Sequence, residues 1–178
     1  MVYFMMANGF EEAEALVPFD ILTRCELGCK LVSFTGDKIV EGAHGIKVIC
    51  DMNVEELDLS DAECIVFPGG GLGTENLDKS DKTNNILKFA LDNKLLIGAI
   101  CAAPSILGKR GILKGLKATC YPGFEEYLIG ADIVNERVAC NDRIITAKGA
   151  GAAYEFGYAL AHALGCGNLA QTVKEKIY

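Results

Sequence analysis

The sequence predicts a doubly wound α/β fold, with a mostly parallel sheet covered by helices on both faces. Three observations carry this. Unbroken apolar runs such as VYFMMA, ECIVFP and LLIGAI recur along the chain, as strands buried on both faces do. Stretches with helical spacing separate them. Glycine, 20 of 178 residues, gathers in short clusters rather than a repeat, which suits tight turns. With 51% apolar residues the chain can fill a large core, and its length fits one domain over residues 1–178.

Taken in order, VYFMMA (2–7) is an apolar strand, turned by Asn8-Gly9. Glu11, Glu12 and Glu14 open a helix, where acidic side chains suit the positive end of the dipole. Ala15, Leu16, Phe19 and Leu22 form its apolar face, and Pro18 bends or restarts it. CKLVSF (29–34) is a second strand, residues 46–49 a third, and 53–57 a short helical turn. ECIVFP (63–68) is a buried strand that ends in a glycine-rich turn. Residues 83–92 form a helix with Ile86, Leu87 and Ala90 inward. LLIGAI (95–100) is another buried strand and runs straight into Cys101, where a helix begins. Residues 117–120, 133–140 and 143–146 read as strands, the last two around the turn Asn141-Asp142. An alanine-rich helix (152–164) is closed by Gly165, and Asn168 caps a final helix.

Charge and cysteines narrow the function. Lys and Arg number 17 against 24 Asp and Glu, a net −7, so no basic face for nucleic acid is expected. No apolar run is long enough to span a membrane. Asn8, Gly9, Glu11, Glu12 and Glu14 interrupt the opening run, so no secretory leader is expected. Most of the eight cysteines lie within apolar runs and read as small buried hydrophobes in a reduced, cytoplasmic protein. With two histidines and no CxxC, neither metal nor cofactor is expected.

Open α/β sheets place their sites at the carboxyl ends of strands. Four such ends carry unusual residues: residues 9–14, the glycines 69, 70, 71 and 73, Cys101, and Tyr121-Pro122. Cys101 is the one cysteine at a strand-to-helix junction, flanked by Ala99, Ala102 and Ala103. This resembles the mechanics of a nucleophile elbow, and N–H groups of a helix start would favour its thiolate. A structural cysteine just past a strand is the other reading. PGGGLG lacks the spacing of a dinucleotide motif and the lysine of a P-loop. It can be a simple turn, or it can aim a backbone N–H at an oxyanion opposite the N–H of Ala102. Glu14, between Ala13 and Ala15, can face inward and carry a proton. Glu11 and Glu12 read as a solvated first turn. His44 sits in a glycine turn that can approach the site edge, and His162 reads as a core or helix-end contact.

Together these segments resemble the DJ-1/PfpI (ThiJ) superfamily, and within it the DJ-1-like branch. The resemblance rests on ANGFEEAEALVPFDILTR, HGIKV, IVFPGGGLGTENL, IGAICAAPSIL, KATCYPGFEE and IITAKGAGAAYEFG, in matching order over essentially the whole chain. It implies a flavodoxin-like three-layer sandwich and a homodimer. It further implies that Cys101 is the reactive, readily oxidised elbow cysteine and Glu14 the protonated partner of its sulfur. Gly70 and Ala102 would supply oxyanion N–H groups. Arg24 falls in the helix that packs at family dimers, and His44 falls where some members carry an arginine near the pocket. Both are thus candidates for the pocket edge. Several members carry a histidine where this chain has Tyr121, and tyrosine is no base at neutral pH. A Cys-His peptidase or amidase is therefore disfavoured, Tyr121 becomes a positioning group, and Cys120 beside it is either a second thiol of the site or, by its alternation with Tyr121, a residue of the opposite face. The resemblance implies a cofactor-independent glyoxalase, with deglycation as related aldehyde chemistry. Its substrate is a small 2-oxoaldehyde. The rival is a redox-responsive or chaperone-like protein in which an oxidant reacts with Cys101.

Overall fold

The computed structural model describes residues 1–177. Its main sheet has seven strands. In chain order the elements are β1 (Val2–Met6), α1 (Glu12–Arg24), β2 (Cys29–Ser33), β3 (Ile39–Glu41), β4 (Lys47–Ile49) and β5 (Met52–Asn53). Next come β6 (Cys64–Phe67), α2 (Gly71–Lys79), α3 (Asp81–Asp92), β7 (Leu96–Ile100), α4 (Pro104–Lys109), β8 (Lys117–Ala118) and β9 (Asp132–Ile133). The chain closes with β10 (Val138–Cys140), β11 (Ile144–Ala147), α5 (Ala153–Ala163) and α6 (Gly167–Lys176). The sheet order is β10-β11-β7-β6-β1-β2-β5. All neighbours are parallel except the β10–β11 edge pair.

The unbroken apolar strands have a direct cause. Alternate residues of one strand enter opposite layers. From β1, Val2, Phe4 and Met6 share a core cluster with α1, α5 and α6 through Ile21, Leu22, Phe156, Leu160 and Val173. Tyr3 and Met5 pack with α2, α3 and α4 through Leu77, Leu87, Ile106 and Leu107. Both faces are dry, so neither phase of the strand can be polar. This is the three-layer architecture that the resemblance implied.

The chain lays β2 and β5 on one side of β1, then returns to place β6, β7 and β11 on the other. The direction of winding therefore reverses between β1 and β6. Ligand crevices of such sheets lie there, beyond the carboxyl ends.

Several elements differ from the sequence reading. Residues 46–49 do not join the main sheet; β4 pairs with β3 in a separate antiparallel hairpin. The expected strand at 117–120 shortens to β8, which pairs with β9 alone. The strand expected over 133–140 is split between β9 and β10. The glycine cluster opens a helix, α2, starting at Gly71 behind the cap residue Gly70. Helix α4 begins at Pro104, three residues beyond Cys101. Asn168 lies inside α6, whose cap is Cys166. Helix α1 runs unbroken through Pro18. Its buried face is Ala15, Pro18, Ile21 and Leu22, with Leu16 and Phe19 half-buried. An added Cβ on Gly157 would lie 2.8 Å from Ile21 Cδ1 and 3.1 Å from Pro18 Cα, so this glycine lets α5 approach α1 closely. Among the described residues, no helix is long and apolar enough to cross a membrane.

Candidate active site

Strand β7 delivers Cys101 at φ +66°, a left-handed conformation disfavoured for any residue with a Cβ. Three backbone bonds fix it there. The Cys101 N–H donates to the Ala147 carbonyl at 2.9 Å, and the Cys101 carbonyl accepts from Tyr121 N–H at 2.8 Å. Ala103 N–H closes the turn onto the Ile100 carbonyl at 3.1 Å. Such a conformation costs about 1–2 kcal/mol. Cys101→Gly is therefore expected to be more stable than Cys101→Ala by about 1 kcal/mol, read as a difference in urea midpoints at equal m. A less stable glycine variant would show that the elbow is unstrained.

Glu14 comes to the same point from the first turn of α1. The Glu11 carboxylate caps the helix by accepting the Glu14 N–H at 2.9 Å. Glu14 itself is 1% exposed. Its Oε2 is buried without a hydrogen-bond partner of regular geometry among the described residues. Between Glu14 and Cys101 stands Gly69. A Cβ there would collide with Glu14 Oε2 and lie 2.5 Å from Cys101 Cβ. Gly70, at φ +89°, rests on the β1–α1 turn so closely that a Cβ would run into the Gly9 carbonyl and lie 2.7 Å from Glu11 N. The Glu11 N–H meanwhile donates to the Gly69 carbonyl at 3.1 Å. The glycines thus serve close approach of three strand ends.

The electrostatics make one unit of the two acids. Burial pushes the Glu14 carboxyl up to about 7, with the Cys101 thiol and the Gly69 and Ala150 amides pulling it back. Burial and the Glu14 carboxylate push the Cys101 thiol up to about 12, against the pull of the Gly70 and Ala102 N–H groups. This corrects the expectation of a thiolate stabilised by a helix start: desolvation and the neighbouring carboxylate outweigh the amides. Between these values the pair shares one proton. When Glu14 holds it, the sulfur is left facing two backbone donors.

The other candidates divide. Ala102 is buried beside the sulfur. Tyr121, 52% exposed, lies against Gly149, where a Cβ would sit 3.3 Å from its Cδ2 and 3.8 Å from Glu14 Oε1. His44 does not reach the pair. Its imidazole is 70% exposed and bonded through Nδ1 to Glu12 Oε2 at 2.7 Å, which raises its pKa. Glu12, 7% exposed, is no solvated residue, because the β3–β4 turn folds over it. Burial pushes its carboxyl up, but the His44 bonds outweigh this and hold it below its ordinary value. Glu11, Glu12 and His44 bring ligand atoms within 4.8 Å of one another, yet Glu12 is engaged by His44 and Glu11 by the helix cap. Arg24 ends α1, about 15 Å from Glu14 along the axis, and pairs with Asp20 on the surface. It is therefore not at the pocket edge. Cys120 is buried in the layer of α2, α3 and α4. His162 is exposed in the last turn of α5.

The fourth strand end is that of β11, with Gly149 and Ala150 beyond it; Tyr121 arrives instead from the loop after β8. The run IITAKGAGAA, an apolar strand ending in small residues, carries the same signal as the glycine cluster and could have marked it.

Comparisons with known proteins bear on the family and the fold. The DJ-1/PfpI family profile matches residues 1–163. The chain is 30% identical over 156 residues to a glutathione-independent glyoxalase of Caenorhabditis elegans, covering 86% of this chain and 82% of that one. It is 30% identical over 132 residues to a deglycase of Pyrococcus horikoshii, covering 74% and 78%. An oxidised DJ-1 of Toxoplasma gondii superposes with a TM-score of 0.94 at 29% identity, covering 99% and 96%. The chain spans 36% of the length of a plant relative, DJ-1 homolog B of Arabidopsis thaliana.

Proposed function

The chain belongs to the DJ-1/PfpI family, and from that premise we propose that it converts small 2-oxoaldehydes to 2-hydroxy acids without glutathione. The observation that carries this is the buried Glu14 carboxyl standing across Gly69 from Cys101. Glu14 takes the thiol proton, and the thiolate attacks the aldehyde carbon of methylglyoxal. Glu14 returns the proton to the new oxygen, which the Gly70 and Ala102 N–H groups hold. The carboxylate then removes the hydrogen from the former aldehyde carbon and delivers it to the neighbouring carbon through an enediol. The product is a thioester, which water hydrolyses to lactate and free thiol. One molecule of water is consumed, and no electron acceptor is needed. The glyoxalase and deglycase relatives support a reactive carbonyl as the substrate, and removal of the same aldehyde from an amine would read as deglycation. The protein acts as a homodimer in this reading, supported by the exposed Ile39, Ile46 and Ile49 of the β3–β4 hairpin.

A pH profile tests it. Below about 7 the pair holds two protons, so neither a thiolate nor a carboxylate base exists. The specificity constant for methylglyoxal is expected to rise with pH through an apparent pKa near 7 and then level off. A flat or falling profile between pH 5 and 9 would remove the shared proton from the mechanism.

The rival redox reading has one observation in its favour. Cys101 is half-buried rather than sealed, and the amides that would hold an oxyanion would equally hold the oxygens of a sulfinate. Stoichiometric consumption of peroxide, without aldehyde turnover, would put this reading first.

A further inference from the structure

The loop after β11 completes a cavity that the mechanism above does not use. It is a depression of about 270 Å³, open to solvent, and is lined by Tyr121, Pro122, Arg137, Lys148 and residues 149–152. It adjoins the reacting pair. Gly149 lies between the Tyr121 ring and Glu14, and Lys148 follows Ala147, whose carbonyl receives the Cys101 N–H.

The lining combines an apolar surface, from Tyr121 and Pro122, with two cations of different standing. Arg137 is spoken for. It pairs with Glu155 at 2.8 Å and donates to the Gly151 carbonyl, so it clamps the loop. Lys148 stands between this cavity and a neighbouring one lined by Cys120, Glu125 and Asn135, and donates to the neutral amide oxygen of Asn135 at 2.5 Å. Among the described residues no carboxylate lies within ion-pair distance of Lys148. In a chain of net charge −7, a cation outside any ion pair on the wall of a cavity that adjoins the reacting pair selects for anions.

We propose that this cavity is a subsite for an anionic group on the substrate, with Lys148 as its anchor. The preferred substrates are then 2-oxoaldehydes that carry a carboxylate on an apolar spacer lying against Tyr121. That the reacting group is an aldehyde rests on the function proposed above; the anion subsite does not.

Two measurements keep these apart. Alkylation of Cys101 by anionic iodoacetate and by neutral iodoacetamide is followed by peptide mass spectrometry in wild type, Lys148→Met and Lys148→Arg. The anion-to-neutral rate ratio is expected to fall at least about fivefold in Lys148→Met and to be kept in Lys148→Arg. The second measurement compares turnover of phenylglyoxal with that of its para-carboxylated analogue. The preference for the carboxylated substrate is expected to fall by a similar factor in Lys148→Met. An alkylation ratio unmoved by Lys148→Met overturns the subsite. A shifted ratio with no turnover of either arylglyoxal keeps the subsite and overturns the glyoxalase reading.

Discussion

Glu14→Gln is expected to abolish aldehyde turnover and, above pH 7, to stabilise the fold. Both effects have one cause. The carboxyl is pushed from its ordinary 4.5 to about 7 by burial. Below 4.5 it is protonated in the folded and the unfolded chain, so it adds no pH dependence. Between 4.5 and 7 the folded chain binds the proton that the unfolded chain has released, so stability falls as pH rises. Above 7 the folded chain carries a buried carboxylate, and the cost has reached about 3 kcal/mol. Glutamine keeps the shape and can still donate to the sulfur, but it cannot ionise. The stability difference between the variant and wild type should therefore be small at pH 4 and grow towards about 3 kcal/mol by pH 8. Turnover should drop by at least about a hundredfold at every pH. Paired urea titrations at the two pH values read the first effect. A difference that does not grow with pH would mean that Glu14 is not held in a desolvated site.

Gly70→Ala is expected to cost about 3 kcal/mol or more and to remove the oxyanion site with it. Two penalties act at once. The residue stands at φ +89°, and its new methyl would enter the carbonyl of Gly9 and crowd the amide of Glu11. Both neighbours are backbone, so neither can swing aside as a side chain would. Relief requires the β1–α1 turn to move, and that turn carries Glu14. Gly69→Ala should differ in kind. Its methyl would meet the Glu14 carboxyl, Cys101 Cβ and the Ile100 carbonyl, so it drives the reacting pair apart directly. Thermal melts and Cys101 alkylation rates on both variants would show this. Near-native stability in Gly70→Ala would mean that the three strand ends have room to separate.

What the sequence made legible follows from burial. Strands β1, β6 and β7 are readable almost to the residue because both faces are dry and leave no polar phase. The elbow is readable only in part: a cysteine among small residues at the end of such a strand can equally be structural, and the other strand ends are needed to single it out. Helix α2 is hidden. Gly71 and Gly73 are poor helix formers, and this helix is held by packing, with Gly73 pressed against Phe10 and Gly9. Glu12 looks solvated in the sequence because its contact with His44 joins residues 32 apart. Lys148 gives no site signal of its own, and the small residues after β11 join the site only because that strand lies beside β7. The state of the Cys101 thiol cannot be read from its position past a strand. It depends on burial and, after that, on a carboxyl eighty-seven residues earlier in the chain.

The most direct measurement is lactate formation from methylglyoxal by the reduced protein without glutathione, followed by NMR with wild type, Cys101→Ser and Glu14→Gln in parallel. Many turnovers of lactate are expected in wild type and none in either variant. Consumption of one equivalent or less by wild type, or sustained lactate formation by Glu14→Gln, would contradict a glyoxalase built on this pair.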